Sequence, residues 1–160
     1  MDYDSRADTL DHILKVQFYI GEVIKELLER SQNHDASKLE PPEKETFDRM
    51  TPRLSSVTYG SDEYRNMLKE MKPAIDHHNR LNSHHPEHYI YGIEDHRRGH
   101  SCMESMNLID IIEMFCDWKA ATLRHNDGDI KKSLKINVDR FSITPQLFSI
   151  FENTLDELGW

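Results

Sequence analysis

Long apolar runs, cysteine pairs and an excess of positive charge are all missing from this sequence. Each absence removes a class of protein. A membrane-spanning helix needs about 20 consecutive apolar residues, and no run here approaches that. The opening residues, MDYDSRADTLDH, are acidic and lack the basic-then-apolar layout of a signal peptide. The two cysteines, Cys102 and Cys116, have no CxxC spacing, which argues against a disulfide framework and against a zinc finger. These observations predict a soluble protein of the cytosol with no membrane partner. The net charge of −9 gives no general attraction for nucleic acid, so non-specific binding to it is not expected. An anionic substrate would need the local field inverted, which a bound divalent cation does directly. Strand-like alternation, internal repeats, low-complexity tracts and domain linkers are absent as well.

What remains is helix. The 160 residues, 37% of them apolar, suffice for one domain and its core. Within residues 8–31, Ile13, Val16, Ile20, Val23, Ile24, Leu27 and Leu28 recur at three- and four-residue steps, one stripe of an amphipathic helix. Asp8 or Thr9 is its expected N-cap. EPPEKETFDRM reads as a turn and a short helix. Ser61 is placed to cap a helix that turns Tyr64, Leu68, Met71 and Ile75 inward and that Pro73 should kink or divide. Residues 79–104 have no clear period. Residues 106–125 form the most apolar helix, with Gly128 placed to end it. A short helix over 130–138 follows. The last has Thr144 as N-cap, Pro145 at the first position and Gly159 past the end. The expected fold is all-α: a compact single-domain bundle of six or seven helices over residues 1–160.

Ten histidines stand out, and five of them lie in DHHNRLNSHHPEH: His77, His78, His84, His85 and His88. Imidazole is the commonest nitrogen ligand for metals. Two of the five are expected to be ligands, one from His77 or His78 and one from His84 or His85. The alternative is a solvated loop. His88, His96, His100 and His125 are not expected to bind. The pair His34–Asp35, in NHDASK, offers a nitrogen and a carboxylate oxygen at a helix end, with Lys38 close behind. Asp110 sits among Leu108, Ile109, Ile111 and Ile112, where a charge is costly unless it is paired or binds metal. Asp117 lies two turns on, along the same face. His12 shares the inward stripe of the first helix. Lys119 and Arg124, in KAATLRHNDGDIKK, make a basic patch that could meet a phosphate or base, or only answer a helix dipole.

His12, then His34–Asp35, then Asp110 follows the H…HD…D order of the HD-domain superfamily of metal-dependent phosphohydrolases, which the chain resembles. HDASK looks like the HDxxK form of its phosphodiesterase branch. DHHNRLNSHH stands where that branch carries further histidines, although Asn79 replaces a glutamate and no GYP follows. Residues 9–155 also resemble a small HD-like family common in phages and bacteria, with HDxSK, HHPEHY and EMxxDWxA, the last here Glu113 to Ala120. The resemblance implies one metal held by His12, His34, Asp35 and Asp110. It implies a second held by His77, His78, His84 or His85, with Asp35 bridging.

Mixed nitrogen and oxygen donors suit Mn²⁺, Fe²⁺, Co²⁺, Ni²⁺, Zn²⁺ or Mg²⁺. The expected activity is hydrolysis of a nucleotide or similar small phosphate ester by metal-activated water. Lys38 would stabilise the phosphoryl oxygens, with Arg80 a lesser candidate, and Asp117 or a histidine would move the proton to the leaving group. The alternatives are a cyclic or linear dinucleotide phosphodiesterase and a non-catalytic metal-containing protein that binds a nucleotide or another protein. Homo-oligomerisation is left open.

Overall fold

The computed structural model describes residues 3–54, 56–57, 61–92, 102–124 and 128–160. His96, His100 and His125 lie outside these. Six α-helices account for most of the described residues, which include no strand: α1 (Arg6–Asn33), α2 (Glu43–Leu54), α3 (Asp62–Leu81), α4 (Leu108–Thr122), α5 (Ile130–Phe141) and α6 (Pro145–Leu158). Short 3₁₀ helices span Ala36–Leu39, Pro86–Gly92 and Cys102–Ser105. The fold is all-α, and no helix among the described residues is long and apolar enough to cross a membrane.

The chain divides into two units, Met1–His34 and Asp35–Trp160. The first is α1 and its flanks. It begins earlier than the apolar stripe suggests, because Ser5, not Asp8 or Thr9, stands at its N-cap.

In the second unit the polar ends of helices are set by local chemistry. Ser61 accepts a hydrogen bond from the Tyr64 amide, and Asp62 and Glu63 sit in the first turn of α3, where negative charge answers the helix dipole. Asn107 caps α4 through the Asp110 amide, and Asp129 caps α5 through the amides of Lys131 and Lys132. α4 ends at Thr122, so Gly128 does not cap it, and α5 runs on to Phe141. α3 passes unbroken through Pro73. The lost backbone donor is offset by a face that buries Met67, Met71, Ala74 and His78.

Thr144 and Gly159 bracket α6 as the sequence indicates, with Gly159 left-handed at φ 65°. The Thr144 hydroxyl accepts from the Leu147 amide at 3.3 Å. Thr144→Ala should therefore lower unfolding free energy by about 1 kcal/mol, read as a shift in urea midpoint with unchanged slope.

Two apolar clusters stabilise this unit. One, of Met50, Met67 and Met71, joins α2 to α3. The other is built from Met114, Phe115, Ile130, Leu134, Phe141, Phe151 and Leu155 of α4, α5 and α6. Phe115 and Phe151 stack in it with centroids 4.7 Å apart. Charged and polar side chains of α2, α3 and α4 converge outside both.

Candidate metal centre

Asp35 is the hub. It sits just ahead of the 3₁₀ turn Ala36–Leu39 with φ 56°, a left-handed conformation that aspartate adopts more readily than most residues. That bend presents one carboxylate oxygen, Oδ1, to two imidazoles. His78, on α3, places Nε2 3.0 Å from it, and His84, in the turn after α3, places Nε2 3.4 Å from it. His85 brings its Nε2 to 2.9 Å from His78 Nε2. One donor atom from each of Asp35, His78, His84 and His85 lies within 4.8 Å of the others.

The far nitrogens of two of these rings are held by carboxylates. His78 Nδ1 is 2.9 Å from Glu43 Oε2, and His84 Nδ1 is 3.1 Å from Glu113 Oε1. A carboxylate on Nδ1 fixes ring orientation and keeps a proton on that nitrogen. Nε2 then faces the common point, the usual backing of metal-binding histidines. Glu43 is fully buried, also meets His77 Nδ1 at 2.8 Å, and accepts from Ser37 Oγ at 3.0 Å. Asn82 ties this group to α3, donating to Ser37 Oγ and to the His78 carbonyl.

The charge states of the cluster follow from its surroundings. Burial by itself would raise the Asp35 pKa. The His78 and His84 rings beside it, and the ammonium of Lys38 on its other oxygen, outweigh that and hold the carboxyl well below the usual range. Burial, with His84 and His78 adjoining, pushes His85 down to about 3, so its ring is neutral at pH 7. Three imidazole nitrogens and an ionised carboxylate gathered around one point could hold a metal ion between them. They form a nitrogen-rich donor set that fits a divalent transition metal.

Other expected residues are placed as follows. Lys38 Nζ is 2.5 Å from Asp35 Oδ2 and 5.3 Å above the Phe47 ring. Asp117 brings a carboxylate oxygen within 4.8 Å of a His84 ring nitrogen. His77 turns to Glu43 and stands outside the four-residue group, so the cluster takes three of the five histidines, not two. Asp110 stands outside it too. It is fully buried, and its carboxylate accepts from Ser83 Oγ at 2.7 Å and Tyr89 OH at 2.5 Å, which satisfies the buried charge with hydroxyls. His88 contacts the Asn79 carbonyl. His12 lies within α1 and His34 at its C-cap, both in the first unit.

Glu43 and Glu113, which contact the far nitrogens of His78 and His84, were not singled out in the sequence. Glu113 follows Asp110 by three residues on one helical face, a spacing that could have marked it. Glu43, in EPPEKE, reads as solvated turn, and only the packing of α2 on α3 buries it.

A cavity of ≈ 270 Å³ opens against this cluster. Its wall includes His78, His85, Lys38 and Asp117 on the polar side, and Phe47, Trp118 and Phe141 on the aromatic side. Arg140 stands at the wall, paired with Glu87 at 2.6 Å and lying over the Phe141 ring. The structure does not bring Arg80, Lys119 or Arg124 to this wall; Lys119 lies over Trp160 instead.

Residues 1–157 match the model of a protein family described as a family of unknown function (DUF5662). No curated protein and no solved structure matches the chain.

Proposed function

The chain belongs to this family of unknown function, DUF5662, and from its site we propose a metal-dependent phosphohydrolase that acts on a nucleotide or similar small phosphate ester. One observation carries the reading: three imidazoles and one carboxylate gather at one point, backed by Glu43 and Glu113, and two of the imidazoles, His78 and His85, line a cavity that also holds a lysine. In a protein of net charge −9, a cation site beside a lysine is where an anionic substrate would be accepted.

His78, His84, His85 and Asp35 would hold the metal. A bound divalent cation supplies Lewis acidity and lowers the pKa of water at neutral pH. The side chains of the chain do the rest. Lys38, on the same wall, offers its ammonium to the non-bridging phosphoryl oxygens. Asp117, near His84 and lining the cavity, would take the proton of the attacking water and return it to the leaving oxygen. The aromatic side of the cavity excludes water from the organic part of the ester. A volume of ≈ 270 Å³ favours a mononucleotide-sized ester over a dinucleotide.

Metal analysis of untagged protein, followed by phosphate release from a nucleotide and aryl phosphate panel with Mn²⁺, Co²⁺ and Mg²⁺, tests the proposal. Metal-stimulated release is expected. Stoichiometric metal with no hydrolysis of any ester would leave a metal-containing binding protein, and protein without affinity for any of these ions would end the metal reading as well. Lys38→Met should keep the metal and lower kcat by about 10²–10³-fold, as removal of other preorganised electrostatic donors does. Wild-type turnover in that variant would reduce Lys38 to a partner of Asp35.

A further inference from the structure

Asn79 lies on α3 one residue beyond His78, is 8% exposed and contributes to the cavity wall. Its backbone carbonyl meets His88, but among the described residues its side-chain amide is tied to nothing. Its polar atoms are not among those cut off from solvent without a partner, so water or a ligand in the cavity can reach them. Folds keep such a group where water or a ligand completes it. The amide is planar and carries a donor and an acceptor side by side. That pattern matches the edge of a heterocycle that presents one acceptor and one donor on neighbouring atoms.

The surrounding wall has the complementary character. Phe47, Trp118 and Phe141 line the same cavity, and the Trp118 and Phe141 rings are nearly parallel, with centroids 6.0 Å apart. Aromatic side chains bind nucleobases by stacking, whatever the base. Stacking therefore gives affinity, and the amide is the group that can read an edge. The volume, ≈ 270 Å³, lies near the lower end of ligand cavities and leaves room for one ring system beside the polar cluster. Lys38 and the histidines mark the phosphate end. The amide and the aromatic rings mark the other.

We propose that Asn79 is a specificity-determining residue that pairs with the edge of an aromatic heterocycle, so that the cavity takes a nucleoside monophosphate in preference to an aliphatic or simple aryl phosphate. This deepens the phosphohydrolase reading and rests on it for the phosphate end alone.

The test compares kcat/KM for the four common nucleoside 5′-monophosphates with that for phenyl phosphate, in metal-loaded wild type, Asn79→Leu and Asn79→Ala. Circular dichroism shows that each variant is folded. Leu keeps the volume and removes the hydrogen bonds, and Ala checks that any effect of Leu is not steric. The ratio of nucleotide to phenyl phosphate kcat/KM should fall about 10-fold or more in both variants, mainly through KM, which is the scale of losing a hydrogen bond to a buried partner. A ratio that is unchanged in both variants, or a wild type that prefers glycerol phosphate, would overturn the proposal. If wild type hydrolyses nothing, the phosphohydrolase reading fails, and titration of adenosine monophosphate into the three proteins decides the role of Asn79 alone. Binding weakened about 10-fold in the variants upholds it. Equal binding, or none in wild type, overturns it.

Discussion

Asp35→Ala should leave the protein with little bound metal and no measurable turnover while keeping its helical content. Asp35 Oδ1 is the oxygen on which His78 and His84 converge, at 3.0 and 3.4 Å. On the proposed metal reading its removal would delete a ligand, so the loss in metal affinity should exceed the 10- to 100-fold typical of losing only a supporting partner. Alanine also fits poorly at φ 56°, at a cost of about 1–2 kcal/mol. Asp35→Asn is the control, because asparagine tolerates that conformation and removes only the charge. Metal content measured beside circular dichroism separates the two contributions. Full metal occupancy in both variants would remove Asp35 from the site.

Glu43→Ala should cost stability and metal together. The carboxylate is fully buried and meets His77, His78 and Ser37 at once. Taking it away strands those groups, and a buried donor left without its acceptor costs about 1–3 kcal/mol. His78 then loses the partner that orients its ring, so metal affinity should fall about 10- to 100-fold. Glu43→Gln keeps the shape and one acceptor, and should lose much less stability. Urea unfolding and metal titration of both variants provide the check. A wild-type urea midpoint for Glu43→Ala would mean that the carboxylate holds nothing in place.

Most of the helices were legible in the sequence because their signals are local. Ser61, Thr144 and Gly159 act through neighbours three or four residues away, and they stand at helix ends in the structure. Pro73 shows the limit of such signals. Its local cost is real, but the buried face of α3 outweighs it, and no neighbouring residue announces that.

The site divides in the same way. The histidine pairs at 77–78 and 84–85 and the His–Asp step at 34–35 could be picked out by residue type. Which of them share a point depends on how the turn after α3 folds back, and this excluded His77 from the group and admitted both His84 and His85. Asp110 was singled out because a buried carboxylate needs a strong partner. In the structure Ser83 and Tyr89 donate to it. Glu43 and Arg140 gave no sign in the sequence, since their place at the site comes from tertiary packing alone.

One arrangement bears on how α4 is set in place. The helix is apolar on several sides, with Ile109, Ile111, Ile112, Met114, Phe115 and Trp118, and burial of such surface has no preferred direction. Its three carboxylates differ in this respect. At 3.6 residues per turn, Asp110, Glu113 and Asp117 fall within an arc of about 60°. The first accepts from Ser83 and Tyr89, the second meets His84 Nδ1, and the third reaches within 4.8 Å of a His84 nitrogen. Hydrogen bonds are directional, so Asp110 and Glu113 fix the azimuth of the helix as a key fixes a shaft. Slipping α4 by one residue would turn it about 100° and disengage both at once. Substitutions among the apolar residues of α4 therefore have latitude that its polar row does not.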